Sequence, residues 1–184
     1  IETVKDKNPV LVKEVMETAQ FTYGQIQKVL QNLLEENVSI RDIVTILETL
    51  ANYAAISKDP RDLTEKVREA LGLQICLQYA DSADHKLRVI QLSEGFTSLL
   101  QTNAVFPPDG SKPQVALDPV DRRKWIGAVS ACLARVTEKG YQPIILCTQA
   151  VRPLVKSSTE REMPGIVVLS DMEVMAAGRN VLIE

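Results

Sequence analysis

"QKVLQNLLEENVSIRDIVTILETLANYA", residues 27–54, decides how the first half of this chain folds. Apolar residues recur there every three or four positions on both sides of a short polar corner, the spacing of two amphipathic helices with opposed apolar faces. The first stripe is Ile26, Val29, Leu30, Leu33 and Leu34. Thr22 and Gln25 form a T-x-x-Q capping box ahead of it, with Phe21 placed to staple onto Ile26. Asn37 supplies a left-handed stop. Ser39 then reads as the cap of the second helix, with Asp42 three residues on and Val38 stapling onto Ile43. That helix carries Ile40, Ile43, Val44, Leu47, Leu50, Ala51 and Ala54 on one face. Packing and capping account for every position, and none of them requires chemistry.

The same devices recur on either side. Upstream, Asn8 followed by Pro9 gives a cap and a proline at the first helical position, opening a helix to about Thr18. Downstream, Asp59, Pro60 and Asp62 start a helix bearing Leu63, Val67, Leu71 and Ile75. Its stripe passes through Gly72, which predicts one helix to about Gln78 with the glycine in its interior, at about 1 kcal/mol of propensity.

After residues 80–84 the pattern changes. Leu87 to Leu92 has the length and composition of a strand, and Ser93 caps a short helix with Phe96, Leu99 and Leu100. "FPPDGSKP", residues 106–113, is a loop turning at Pro108 to Gly110. Asp118 and Pro119 open the longest helix, with Trp125, Val129, Cys132, Leu133 and Val136 facing inward and Gly140 as its stop. "PIILCT" (143–148) and "IVVLS" (166–170) are short apolar runs typical of buried parallel strands, separated by a helix near Arg152 to Glu162. "NVLIE" adds a further strand. The expected fold is α+β: an all-helical subdomain over residues 1–80, then a small α/β subdomain over 81–184 with a short, mainly parallel sheet.

Apolar residues at 45% and charged residues at 24% are ordinary for a soluble globular protein. The 21 basic and 24 acidic side chains are scattered, and a nucleic-acid partner is disfavoured because phosphates need a clustered cationic face. Arg122, Arg123 and Lys124 are flanked by Asp118 and Asp121 and read as a solvated helix face. Cys76, Cys132 and Cys147 are widely spaced, each in an apolar setting, which suggests buried thiols of a reducing compartment. No apolar run reaches the length of a bilayer span.

Searching the sequence for chemistry yields no catalytic, cofactor-binding or metal-binding residue. The segment after "PIILCT", "QAVRP", lacks a glycine to bring backbone near phosphate; the segment after "IVVLS", "DMEVMAAG", reads as an acidic loop. The sole histidine, His85, lies in a polar turn, and Asp171 and Glu173 read as solvated carboxylates. Arg152 and Pro153 begin a helix just beyond a buried strand, where the arginine either binds a partner carboxylate or satisfies backbone carbonyls.

"QKVLQNLLEENVSIRDIVTILETLANYA", "KDPRDLTEKVREALGLQI" and "RPLVKSSTEREMPGIVVLSDMEV", in this order, resemble the C-terminal cytoplasmic region of the FlhA-type export-gate proteins of flagellar and virulence type III secretion machines. The resemblance implies the third, helical subdomain, lacking its beginning, plus the fourth, α/β subdomain. It implies a homo-oligomeric ring of nine subunits at the cytoplasmic face of the bacterial inner membrane, with membrane attachment outside this stretch. Neighbouring subunits, export chaperones with their substrates and other export components are the implied partners, and Arg41, Asp42, Arg152 and Pro153 the candidate contacts. The flagellar machine is preferred, with the virulence injectisome as alternative, and a small nucleotide-binding α/β enzyme domain as the rival of another class. At "SDMEVMAAG" the chain departs from the aromatic residue and proline common in relatives.

Overall fold

A computed structural model describes residue 6 and residues 8–184, so the first residues of the expected helical subdomain lie outside the described residues. Helix α1 (Pro9–Lys13) has Pro9 at its first position and runs directly into a π-helical stretch, Glu14–Thr18. Asn8 stands at the cap position, but its side chain makes no capping hydrogen bond. Helix α2 (Tyr23–Glu35) opens with the reciprocal box: the Gln25 amide donates to Thr22 Oγ1 at 3.2 Å, and the Thr22 amide to Gln25 Oε1 at 2.9 Å. Its buried stripe is narrower than expected, because Leu34 is 53% exposed. Asn37, at φ 58°, ends it.

The corner corrects one expectation. Helix α3 (Ile43–Tyr53) is capped by Asp42, not Ser39. Asp42 takes the Thr45 amide on one oxygen at 3.2 Å and the Thr45 hydroxyl on the other at 2.8 Å, a double acceptance a serine has no second oxygen to match. Among the described residues Ser39 Oγ accepts only the Arg41 amide, at 3.4 Å, within the non-helical corner. Asp42→Ala is therefore expected to cost about 1 kcal/mol in chemical denaturation and Ser39→Ala less than about 0.5 kcal/mol. The reverse order of losses would return the cap to Ser39.

A second correction concerns Gly72. The expected single helix breaks at Leu71 (φ −89°, ψ 7°) into α4 (Pro60–Ala70), capped by Asp59 through the Arg61 amide, and α5 (Gly72–Tyr79). Gly72 is where α5 meets the backbone of a later helix, residues Asp171–Ala177. A Cβ there would lie 2.4 Å from the Glu173 carbonyl oxygen and 2.9 Å from Ala176 Cβ. The glycine thus permits close helix contact, with no interior position to fill.

In the second half, the expected strand over 87–92 is two strands, β1 (Lys86–Leu87) and β2 (Val89–Gln91). After α6 (Glu94–Thr102), capped by Ser93, a hairpin of β3 (Ala104–Val105) and β4 (Gln114–Val115) embraces the proline-rich loop, a pairing too short to show in the sequence pattern. Then follow α7 (Pro119–Glu138), β5 (Ile144–Cys147), α8 (Arg152–Thr159), β6 (Val167–Ser170), α9 (Asp171–Ala177), a 3-10 turn and β7 (Leu182–Ile183). Asp118 caps α7 by accepting the Val120 and Asp121 amides. Strands β2, β5 and β6 form a parallel sheet in that order, and β1 pairs with β7, also parallel. The fold is α+β.

Successive residues of a strand face opposite sides, and β5 and β6 use this to build two cores. Ile144 and Leu169 join the core of α1–α5, with Val29, Leu33, Leu47, Leu50 and Val67. Ile145 and Val168 join the other, with Leu100, Trp125, Val129, Leu154 and Val155. The sheet is the wall between them.

Candidate functional site

Where α8 starts, beyond the end of β5, the wall carries charge. Arg152 is 2% exposed and lies between Glu36, at the C-terminal cap of α2, and Glu65 on α4. Its guanidinium grips both carboxylates two-pronged. Nη1 and Nη2 reach Glu36 at 2.6 and 3.1 Å, Nε reaches Glu65 Oε2 at 2.6 Å, and Nη2 also contacts Glu65 Oε1. This corrects the expectation that Arg152 contacts a partner carboxylate or backbone carbonyls: two glutamates of the helical half use its donors inside the chain. Only a planar guanidinium presents donors in that fork.

Arg68 of α4, 3% exposed, extends the chain of charge, with Nη1 3.3 Å from Glu36 and Nε 2.6 Å from Glu173 Oε1. The Arg68–Glu173 pair is close but misaligned, so neither of those two atoms has a directed hydrogen bond among the described residues. The other oxygen of Glu173 accepts the Ser170 amide at 2.6 Å, while Ser170 Oγ accepts the Glu173 amide at 3.2 Å. "DMEVMAAG" is thus not the expected loop but helix α9, opened by a capping box. Glu173 is fully buried instead of solvated, and Asp171 receives the Gln149 and Met172 amides at 2.9 Å each. The S-x-x-E spacing from Ser170 was the signal for this, ahead of Val174, Met175 and Ala177.

Glu65, Arg152, Glu36, Arg68 and Glu173 therefore alternate in sign across α2, α4, α8 and α9. Burial alone would raise the Glu36 carboxyl, but Arg152 and then Arg68 beside it bring it down to about 2. A depressed folded-state carboxylate contributes stability that is present above its ordinary value near 4.5 and lost as pH falls from there toward about 2. The size is on the order of 3 kcal/mol. Burial opposes the charge on Arg152, yet Glu65 and Glu36 hold its value well above the ordinary one. Lys156, also buried, donates to the Ile166 carbonyl at 2.9 Å and is lowered by burial.

Such an arrangement holds elements together; it offers no acid and base facing a shared reactant space. Among the described residues no group of His, Cys, Asp and Glu is placed to hold a metal ion. His85 is exposed at a turn with φ 55°. Burial pushes the Cys76 and Cys147 thiols up to about 12, far from thiolate reactivity. Of the remaining candidate contacts, Arg41 is exposed, Asp42 is occupied as a cap, and Pro153 borders a groove of about 410 Å³ beside the charge network. No helix of the described residues is long and apolar enough to cross a membrane.

Fold and site together define an α+β module of two cores welded by buried charge. The FHIPEP family profile matches residues 1–178, and the chain belongs to the FHIPEP family. It is 35% identical over 175 residues to the flagellar biosynthesis protein FlhA of Borreliella burgdorferi, covering 95% of this chain and 24% of that protein. The chain thus spans about a quarter of the length of the curated relatives it matches. Among solved structures it is similar to the nonameric SctV-C of EPEC (TM-score 0.84, 31% identity, all of this chain and 52% of that one). It is also similar to the Chlamydia pneumoniae CdsV of a complex with CdsO (TM-score 0.79, 27% identity, all of this chain and 52% of that one).

Proposed function

We propose that the chain is a cytoplasmic part of the export gate of a flagellar type III protein export apparatus and works without catalysing a reaction. In this reading it supports contacts between neighbouring subunits of a ring and helps dock export chaperones with their cargo. The helical subdomain spans residues 1–80 and the α/β subdomain 81–184, and membrane attachment belongs to the parts of the relatives that this chain does not match. The observation that carries the reading is family membership over nearly the whole chain. The buried charge network supports its noncatalytic half, because the titratable groups that converge are consumed in pairing. A ring is supported by the nonameric assembly of the similar SctV-C, and contact with other export components by the CdsV–CdsO complex. Arg41, exposed at the corner before α3, is the candidate subunit contact that the fold leaves accessible.

The test is a chimera in which this chain replaces the matching region of a flagellar relative, scored for filament-protein secretion. Secretion is expected, and Arg41→Glu should lower it without unfolding the chain. A stable, membrane-inserted chimera that secretes nothing would speak against the flagellar assignment and favour the injectisome one. Saturable nucleotide hydrolysis by the purified chain, abolished by one substitution, would overturn the noncatalytic reading.

A further inference from the structure

The groove of about 410 Å³ lies where the two halves meet, walled by Tyr53 at the end of α3 and Ile56 beyond it, Phe106 and Pro113 of the hairpin, and Pro153 and Leu154 of α8. That volume is in the range of sites that hold a ligand group, about 300–1,000 Å³, and its walls are mainly apolar. Two large apolar side chains stand open on its rims, Ile56 at 77% and Phe106 at 60% exposure. Arg61 fixes the hairpin side: Nη1 donates to the Pro107 carbonyl at 3.0 Å, and its guanidinium lies 5.8 Å from the Phe106 ring centroid. The loop that carries the exposed ring is therefore tied to α4.

The charge at this rim is not balanced. Among the described residues, two carboxylates lining the groove, Asp59 and Asp62, stand against the one Arg61 guanidinium, while Asp109 lies outside the lining and accepts the Ser111 amide at 2.9 Å. Asp59 takes Arg61 directly, whereas Asp62 accepts only the Ser57 hydroxyl, at 2.8 Å, among the described residues. The other cation lining the groove, Lys66, is occupied by Glu69 at 2.8 Å and Gln149 at 3.2 Å, and Glu65 by Arg152.

We propose that this groove docks a segment of another protein that presents apolar side chains next to a lysine or arginine. The apolar anchors would fill the space between Ile56 and Phe106, and the cation would meet Asp62. Exposed apolar side chains on both rims, with the Asp62 carboxylate beside them, favour a protein segment. The inference does not rest on the export assignment.

Phage-displayed random 12-residue peptides, selected on the purified chain and counter-selected on Phe106→Ser, test it. Phe106 is exposed, so this variant should keep the parent melting temperature. The expected enriched sequences pair large apolar residues with Lys or Arg. A synthesised one should bind the parent chain at least about tenfold tighter than Phe106→Ser, Ile56→Ser or Asp62→Lys, and equally to Leu77→Ser, outside the groove. No enrichment over the counter-selection, enrichment without a cation, or equal binding by the groove variants would overturn the proposal. So would sedimentation showing that the parent self-associates and Phe106→Ser does not, which would give the groove to a second copy.

Discussion

Arg152→Met is expected to lower the unfolding free energy by about 3–5 kcal/mol, because it strands two partly solvated but largely buried carboxylates, Glu36 and Glu65, without their shared cation. Methionine approximates the length of the removed side chain, so the loss reports charge more than a cavity. Two companion variants separate the causes. Arg152→Lys should recover little, since one ammonium cannot fill two forks on opposite sides. Glu36→Leu and Glu65→Leu combined with Arg152→Met should recover much of the loss, because no carboxylate is then stranded by the missing cation and Arg68, though deprived of Glu36, keeps Glu173 as its counter-charge. Chemical denaturation of the purified variants measures all three. A loss below about 1 kcal/mol for Arg152→Met would mean that the network contributes little to holding α8 against α2 and α4.

The second large effect is expected at Trp125. It is 1% exposed at the centre of the core between the sheet and α6–α8, with Phe96 at 5.1 Å between ring centroids. Its indole N–H donates to Ser158 Oγ at 3.0 Å, tying α7 to α8. Trp125→Ala removes the packing and the tie together, at about 3–5 kcal/mol. Trp125→Phe isolates the hydrogen bond and should lose about 1 kcal/mol beyond its smaller packing loss. Near-neutral behaviour of Trp125→Ala would show that α7 does not seal this face of the sheet.

Most helices were legible because their signals are local. The proline at the first position after Asp59 and Asp118, the Thr22–Gln25 box and the left-handed Asn37 each act within one turn. Legibility failed where a distant element decided. Gly72 fits an uninterrupted stripe, and only the arrival of α9 against it explains why no side chain stands there. Residues 87–92 look like one strand, yet β7 and β5 claim its two halves. Ser39 and Asp42 both suit a cap, and the choice turned on the hydroxyl of Thr45. In the site, Arg152 was visible as an unusual arginine, but Glu36, Glu65 and Arg68 drew no notice. Separated by 116 and 87 positions from Arg152, Glu36 and Glu65 look like ordinary exposed helix charges until the fold closes over them.

The central claim is that the charged residues meeting between the two cores are a structural weld, in which Arg152 and Arg68 hold the Glu36 carboxylate ionised far below neutrality. An NMR pH titration of the Glu36 side-chain carboxyl in the folded chain tests this most directly. The expected midpoint is about 2, with stability falling as pH drops below 4.5. A midpoint at the ordinary value near 4.5, or above it, would contradict the claim and leave Glu36 free to act as an acid or base.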